Sequence, residues 1–263
     1  MLRRRIADER VLRLISRMLK SGILEEGLVQ ASEEGTPQGS ILSPLLSNIY
    51  LHYALDRWFS RKVRESGQGE ACYFRFADDF VACFQYRKDA QDYLRGLKER
   101  LERGGLTLAE EKTRCIEFGR NARTCARARG EKPEEFTFLG FTHDCGKTKR
   151  GFFKVKRRTG RKKLGKCLRE FADWLRKARC VLRKGDLMRR ARSRLMGHLN
   201  YFAITDNGAR CSYFVYFATR LLFKWINRKS QRRAYTWGSF KHALACVDWP
   251  TARIRVNLNP CRV

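Results

Sequence analysis

The stretch CYFRFADDFVACF, residues 72–84, sets two adjacent carboxylates, Asp78 and Asp79, in a run that is otherwise almost wholly apolar. Neighbouring acids repel each other, and strand interiors disfavour them. Two arrangements relieve the conflict: a solvated turn on which the pair does nothing, or a cation bound to both. The flanking rings favour the second. Phe74 and Phe76 before the pair, and Phe80, Ala82 and Phe84 after it, alternate as hairpin strands do, which predicts a buried hairpin with Asp78 and Asp79 at or near its tip. Mg2+ takes oxygen ligands and commonly bridges carboxylates to substrate phosphates, so it is the ion such a pair suits.

The loop EEGTPQGS, residues 33–40, is a second candidate. Read blandly, it is a turn before a helix. Read functionally, its two glycines let backbone N–H groups approach a phosphate or nucleotide closely, with Gln38 supplying an amide. No Gly-Lys-Ser/Thr follows, so it is not a P-loop.

Several elements must position these groups. The periodicity predicts a helix over 7–20, capped by Asp8, with Val11, Leu12, Ile15, Met18 and Leu19 on one face. A second helix is expected from Ser43-Pro44 to about Arg64, burying Leu42, Leu46, Ile49 and Tyr53, and a third over 88–103, closed by Gly104-Gly105. Further strands are expected at 114–118 and 136–142. The mixture predicts an α+β fold, with helices on one face of a small antiparallel sheet. From about residue 146 the chain turns basic: KVKRRTGRKKLGK reads as a loop, three helices follow over 161–182, 186–203 and 210–229, and a basic tail ends the sequence. On the last helix, Tyr213, Phe214, Phe217, Leu221 and Trp225 fall at core spacing. This places a domain boundary at 145/146.

Charge divides the chain at the same point. The whole sequence carries 57 Lys+Arg against 27 Asp+Glu; residues 146–263 hold 32 against 5 (net +27), leaving 25 against 22 (net +3) for residues 1–145. One-signed excess on this scale implies a polyanion, and nucleic acid fits better than a membrane because no stretch is apolar enough to span one. The N-terminus MLRRRIADER lacks a signal-peptide core, which points to the cytoplasm. None of the ten cysteines forms a CxxC pair, so zinc-ligand spacing is absent and they read mostly as small core residues.

GTPQGSILSPLLSNIYLHYALDRWF, RFADDF, LTLAEEKTR and FTFLGF, in that order, resemble the palm of group II intron reverse transcriptases. GHLNYFAI and LLFKWINRKSQRRAYTW resemble the thumb and maturase region of the same proteins. The resemblance implies an incomplete right-hand polymerase palm over 1–145 and a helical thumb and maturase RNA-binding region over 146–263. It implies an enzyme that copies RNA into DNA with Mg2+ and dNTPs on an RNA template and DNA primer, and that binds group II intron RNA to assist splicing. Asp78 and Asp79 match the metal-binding aspartates of the family's Tyr-Ala-Asp-Asp motif, with Phe76 in place of Tyr and Ala77 retained. Pro37, Gln38 and Gly39 match the loop beside the incoming nucleotide, Lys112 a lysine near the triphosphate, and Leu139, Gly140 and Phe141 the primer grip. Arg228, Lys229, Arg232 and Arg233 are the expected dense RNA contact. The family's third metal-binding aspartate lies upstream of the helix at Asp8. The resemblance therefore implies an N-terminally truncated enzyme, inactive as a polymerase unless a separate N-terminal half complements it, or else a non-catalytic RNA-binding maturase remnant.

Overall fold

The computed structural model describes residues 1–20, 23–25, 28–30, 42–229 and 234–258, which divide into two compact units between Cys115 and Ile116.

In the first unit, a 3-10 turn (Leu2–Arg4) precedes helix α1 (Glu9–Lys20). Asp8 caps α1 as expected, its Oδ1 accepting the Arg10 N–H at 2.8 Å. Of the five residues expected to share a covered face, Leu12, Ile15 and Leu19 are half-buried, whereas Val11 and Met18 are exposed. Strands β1 (Ile23–Glu25) and β2 (Leu28–Gln30) pair antiparallel.

Helix α2 (Ser43–Leu51) carries Pro44 in its first turn and continues through two π-helical stretches, His52–Asp56 and Phe59–Val63, into α3 (Arg64–Ser66). A π turn takes one residue more than an α turn, which rotates the inward stripe. Leu51, Ala54, Leu55 and Phe59 are buried, while the expected Leu42, Leu46, Ile49 and Tyr53 are only half-buried. Against that stripe lies α4 (Arg87–Glu102), through Tyr93, Leu97 and Leu101. Arg100 Nε donates to the Ala54 carbonyl at 3.0 Å, and the Tyr50 hydroxyl donates to the Gly104 carbonyl. Gly105, with φ 65°, ends α4. Its N–H bonds Glu102 O at 3.0 Å while the Leu106 N–H reaches back to Leu101 O at 2.9 Å, the paired bonds of a Schellman stop. Strands β3 (Ala71–Phe76) and β4 (Asp79–Phe84) form a hairpin on this core.

In the second unit, helix α5 (Ala122–Ala128) leads to a three-stranded antiparallel sheet of β5 (Glu135–Phe138), β6 (Phe141–Lys147) and β7 (Phe153–Thr159). Three expectations change here. No strand forms at 114–118. The run 136–142 is broken into two strands, because Leu139 and Gly140 (φ 50° and 80°) reverse the chain between them. The basic stretch expected as a loop supplies β7, which pairs with β6 from Phe141↔Thr159 to Lys147↔Phe153. Lys154, Lys156, Arg157 and Arg158 are themselves half-buried in this strand, so net charge concealed it. Position 146 falls inside β6, so the change of charge there is not a break in packing.

Helices α6 (Arg161–Val181), α7 (Lys184–Phe202) and α8 (Gly208–Asn227) form close to their expected positions, and α9 (Trp237–Cys246) forms where a basic tail was expected. Leu175, Leu187, Leu195, Leu199, Leu222 and Phe240 lie fully inside. On α8 the buried stripe is Cys211, Phe214, Ala218, Leu222 and Ile226. Tyr213 and Phe217, expected in the core, are 46% and 37% exposed. Buried Asn207 ties β7 to the α7–α8 junction: its Oδ1 accepts the Thr159 N–H at 2.8 Å, and its Nδ2 donates to Thr159 Oγ1 at 2.7 Å and Phe202 O at 2.8 Å.

The described cysteines are free thiols, but only Cys145 and Cys211 are buried; Cys72, Cys83, Cys115, Cys180 and Cys246 are exposed, against the expectation of a core role. Among the described residues no helix is long and apolar enough to cross a membrane.

Candidate functional site

The hairpin at 71–84 closes through a two-residue turn, Ala77-Asp78, with Phe76 paired to Asp79. That turn length fixes parity. Residues opposite Tyr73 and Arg75 are Ala82 and Phe80, and these face the core; residues opposite Phe74 and Phe76 are Val81 and Asp79, on the other face. The expectation of rings burying both flanks is thus half corrected. Phe80, Ala82 and Phe84 pack inward, whereas Phe74 and Phe76 are 58% and 64% exposed beside the carboxylates. Asp78 sits in the turn and Asp79 opens β4, both exposed.

Ala77 occupies the first central position of the turn with φ 54°, where glycine is the favoured residue. The surrounding structure holds it there. Arg75 Nη1 donates to the Ala77 carbonyl at 2.8 Å and to Asn48 Oδ1 at 2.9 Å. Its Nε and Nη2 grip both oxygens of Asp56 at 2.7 Å each. His52 Nδ1 lies 3.1 Å from Asp56 Oδ2, so the network starts from the first π-helical stretch. Partial burial pushes the Asp56 carboxyl up, but the hydrogen bonds from Arg75 and His52 outweigh it and leave the group below its ordinary value. The same bond to Asp56 raises Arg75. Burial raises the phenol of Tyr73, which stacks on Phe59 at 5.0 Å between ring centroids.

Sequence reasoning missed Arg75, Asp56 and Asn48. The available signal was an arginine two residues before the turn, on the inward parity of β3.

Chemically, the tip offers two solvent-facing carboxylates on a braced turn. Oxygen donors suit Mg2+. Among the described residues, however, no group of three or more His, Cys, Asp or Glu side chains converges to hold a metal, so these two carboxylates alone would fill only part of a coordination shell. Lys112 is exposed in the first unit, its N–H bonded to Ala109 O at 3.0 Å.

A second two-residue turn carries the candidate grip residues of the second unit. Leu139 and Gly140 close β5–β6, the Tyr201 hydroxyl donates to Leu139 O at 2.9 Å, and the Gly160 N–H bonds Gly140 O at 3.0 Å. Phe141 stacks on Tyr201 and tilts against Phe202, with centroids 5.6 and 5.2 Å away.

Of the expected RNA contacts, Arg228 lies over the Trp225 ring at 5.9 Å. Lys229 donates to the Leu182 carbonyl just past α6, so it also serves a structural bond. Arg232, Arg233, Pro37, Gln38 and Gly39 lie outside the described residues.

Residues 4–143 match the family described as reverse transcriptase (RNA-dependent DNA polymerase), more than half of the chain. Protein YkfC of Escherichia coli (strain K12) is 40% identical over a stretch covering 30% of this chain and 27% of that protein. The group II intron-encoded protein LtrA of Lactococcus lactis subsp. cremoris is 52% identical over 18% of this chain and 8% of its own length. The uncharacterized 91 kDa protein in cob intron of Schizosaccharomyces pombe is 50% identical over 18% of this chain and 6% of its own. The matched stretches therefore span about a quarter or less of these relatives.

Proposed function

Because this chain belongs to the reverse transcriptase (RNA-dependent DNA polymerase) family, we propose that it serves a group II intron as both polymerase palm and RNA-binding maturase. The observation that carries the reading is the carboxylate tip of the 71–84 hairpin, braced by Arg75 and lying within the family match. Asp78 and Asp79 would hold Mg2+, which when bound neutralises charge on the attacking and leaving oxygens of phosphoryl transfer. Arg75 fixes the turn that aims them. Phe76 presents an exposed ring toward the nucleotide side, with Pro37, Gln38 and Gly39 beside the incoming dNTP and Lys112 near its triphosphate. Leu139, Gly140 and Phe141 grip the DNA primer. Residues 146–263, with net +27, bind intron RNA.

Two carboxylates are too few for a two-metal site, so polymerisation requires donors from beyond the described residues, for instance a complementing polypeptide. Primer extension on an RNA template with Mg2+ and dNTPs tests this. If a separate polypeptide supplies the remaining donors, the 263-residue chain alone should be inactive and adding that polypeptide should restore synthesis. Robust Asp78-dependent synthesis by the chain alone would refute the need for a complement.

The same shortage of ligands favours a second reading, a non-catalytic RNA-binding maturase remnant. Filter binding to its intron and to an unrelated RNA of equal length, over a salt series, tests the maturase component common to both. With some six to ten phosphates contacted, affinity should fall by roughly three to five decades between low and moderate salt, by analogy with duplex DNA. Preference for the intron should persist, since phosphate contacts alone do not specify sequence. Equal affinities throughout would leave a basic domain with no maturase role.

A further inference from the structure

Helix α8 has two apolar stripes. One is the core stripe through Phe214, Ala218 and Leu222, at most 3% exposed. The other runs through Tyr213, Tyr216, Phe217 and Leu221 on a different side, with Tyr216 53% exposed. A soluble helix that is apolar on a second face needs something to cover it.

The second stripe borders a cleft of about 450 Å3, lined by Phe217, Arg220, Leu221, Phe223 and Lys224 of α8 and by Trp237 of α9. Trp237 is 42% exposed and stands edge-on to Phe223 with centroids 4.8 Å apart. Neither α8 nor α9 contains a single Asp or Glu, so the only charges lining the cleft are the cations Arg220 and Lys224 of α8, beside rings from both helices. Arg220 is held in position, its Nη1 donating to the Tyr216 hydroxyl at 2.8 Å. An apolar protein partner would gain nothing from Arg220 and Lys224 beside the rings. A nucleotide uses both features: its base has an apolar face for an aromatic ring and its phosphates pair with the cations.

We propose that the cleft between α8 and α9 binds an unpaired nucleotide of RNA, its base against Phe217 and Trp237 and its flanking phosphates on Arg220 and Lys224. This deepens the RNA-binding reading of residues 146–263 and rests on it. It adds a preference for single-stranded RNA, because a base inside a duplex cannot present its face to a ring.

The test is fluorescence anisotropy of the full chain with labelled single-stranded RNA, an RNA duplex, and a strand of equal charge containing abasic positions. Wild type should favour the intact single strand over the abasic one. Phe217→Ala and Trp237→Ala should each weaken single-strand binding by roughly 5- to 150-fold, with duplex binding and the salt slope unchanged. Trp237→Phe should retain most of the affinity. Arg220→Ala should instead reduce the salt slope by about one. Because Trp237 also touches buried Phe240, Phe217→Ala and Trp237→Phe keep the test interpretable if Trp237→Ala unfolds. Salt-dependent RNA binding that ignores these substitutions and the abasic positions would overturn the nucleotide cleft alone. No RNA binding at all would overturn the underlying reading with it. If Phe217→Ala converts a dimer to monomers by light scattering and spares RNA binding, the face is a protein interface and the proposal fails.

Discussion

Two hairpins in this chain use the same device and are held by opposite means. Both close through two-residue turns with left-handed backbone: Ala77 at φ 54° in one, Leu139 and Gly140 at φ 50° and 80° in the other. The first is braced from beneath by charge, through Arg75, Asp56 and His52, and its carboxylates face solvent. The second is pinned by the Tyr201 hydroxyl and by rings of α7. A charged brace leaves the tip free to meet a charged ligand. An apolar clamp fixes a backbone edge in place. The difference fits the roles proposed for them, metal binding at the first tip and primer gripping at the second turn.

The largest effect should come from the tip itself. In the complemented polymerase, Asp78→Asn should lower the extension rate by at least roughly 10²- to 10³-fold while leaving the melting curve unchanged. A reconstituted enzyme indifferent to that change would make the acids structural, and the two hairpins equivalent.

Acid should separate the two supports. His198 of α7 stacks on Phe214 with centroids 3.6 Å apart, and burial, with the charge of Lys163 second, lowers it from 6.5 to about 4. Unfolded chains therefore bind more protons between those values, so stability behind the second hairpin is full above about pH 6.5 and falls toward pH 4. The loss should be on the order of 3 kcal/mol, and His198→Phe should flatten it in pH-dependent urea melts. The Asp56 brace, with its carboxyl held below 3.8, should stay intact over that window and weaken only as pH falls through the folded value. Hydrogen exchange of the β3–β4 amides at pH 5 should show protection retained. Early loss there would break the contrast.

Arg75→Ala should cost about 2 kcal/mol, seen as faster exchange of the β3–β4 amides, because it strands a half-buried Asp56 and releases the Ala77 carbonyl. Arg75→Lys should recover little, since lysine cannot make the two-pronged contact. The smallest effects lie in the turns. Ala77→Gly should stabilise by about 0.5–1 kcal/mol and Gly140→Ala should destabilise by about 1–2 kcal/mol, read as shifts in urea midpoint. Equal responses would mean that neither brace overrides local backbone preference.

Much of this was legible before any coordinates. Alternation and flanking turn residues located the Asp78–Asp79 tip, periodicity located α4 and α6–α8, and the six motifs located the family. Those signals are local: a period of 2 or 3.6 and a residue tolerant of turns are properties of neighbours in sequence. What local pattern could not supply was parity and partnership. Whether Phe74 or Phe80 faces inward depends on the number of residues in one turn, and of the α8 residues at core spacing the packing buried Phe214 and left Tyr213 and Phe217 exposed. β7 escaped notice because a strand made of lysines and arginines is defined by its pairing with β6 and not by its hydropathy. The sequence by itself pointed to the groups proposed for the chemistry and, through its one-signed charge, to a polyanionic partner. Only the tertiary structure decided what holds those groups, because Arg75 meets Asp56 across 19 residues and Tyr201 meets Leu139 across 62, through contacts that no local pattern encodes.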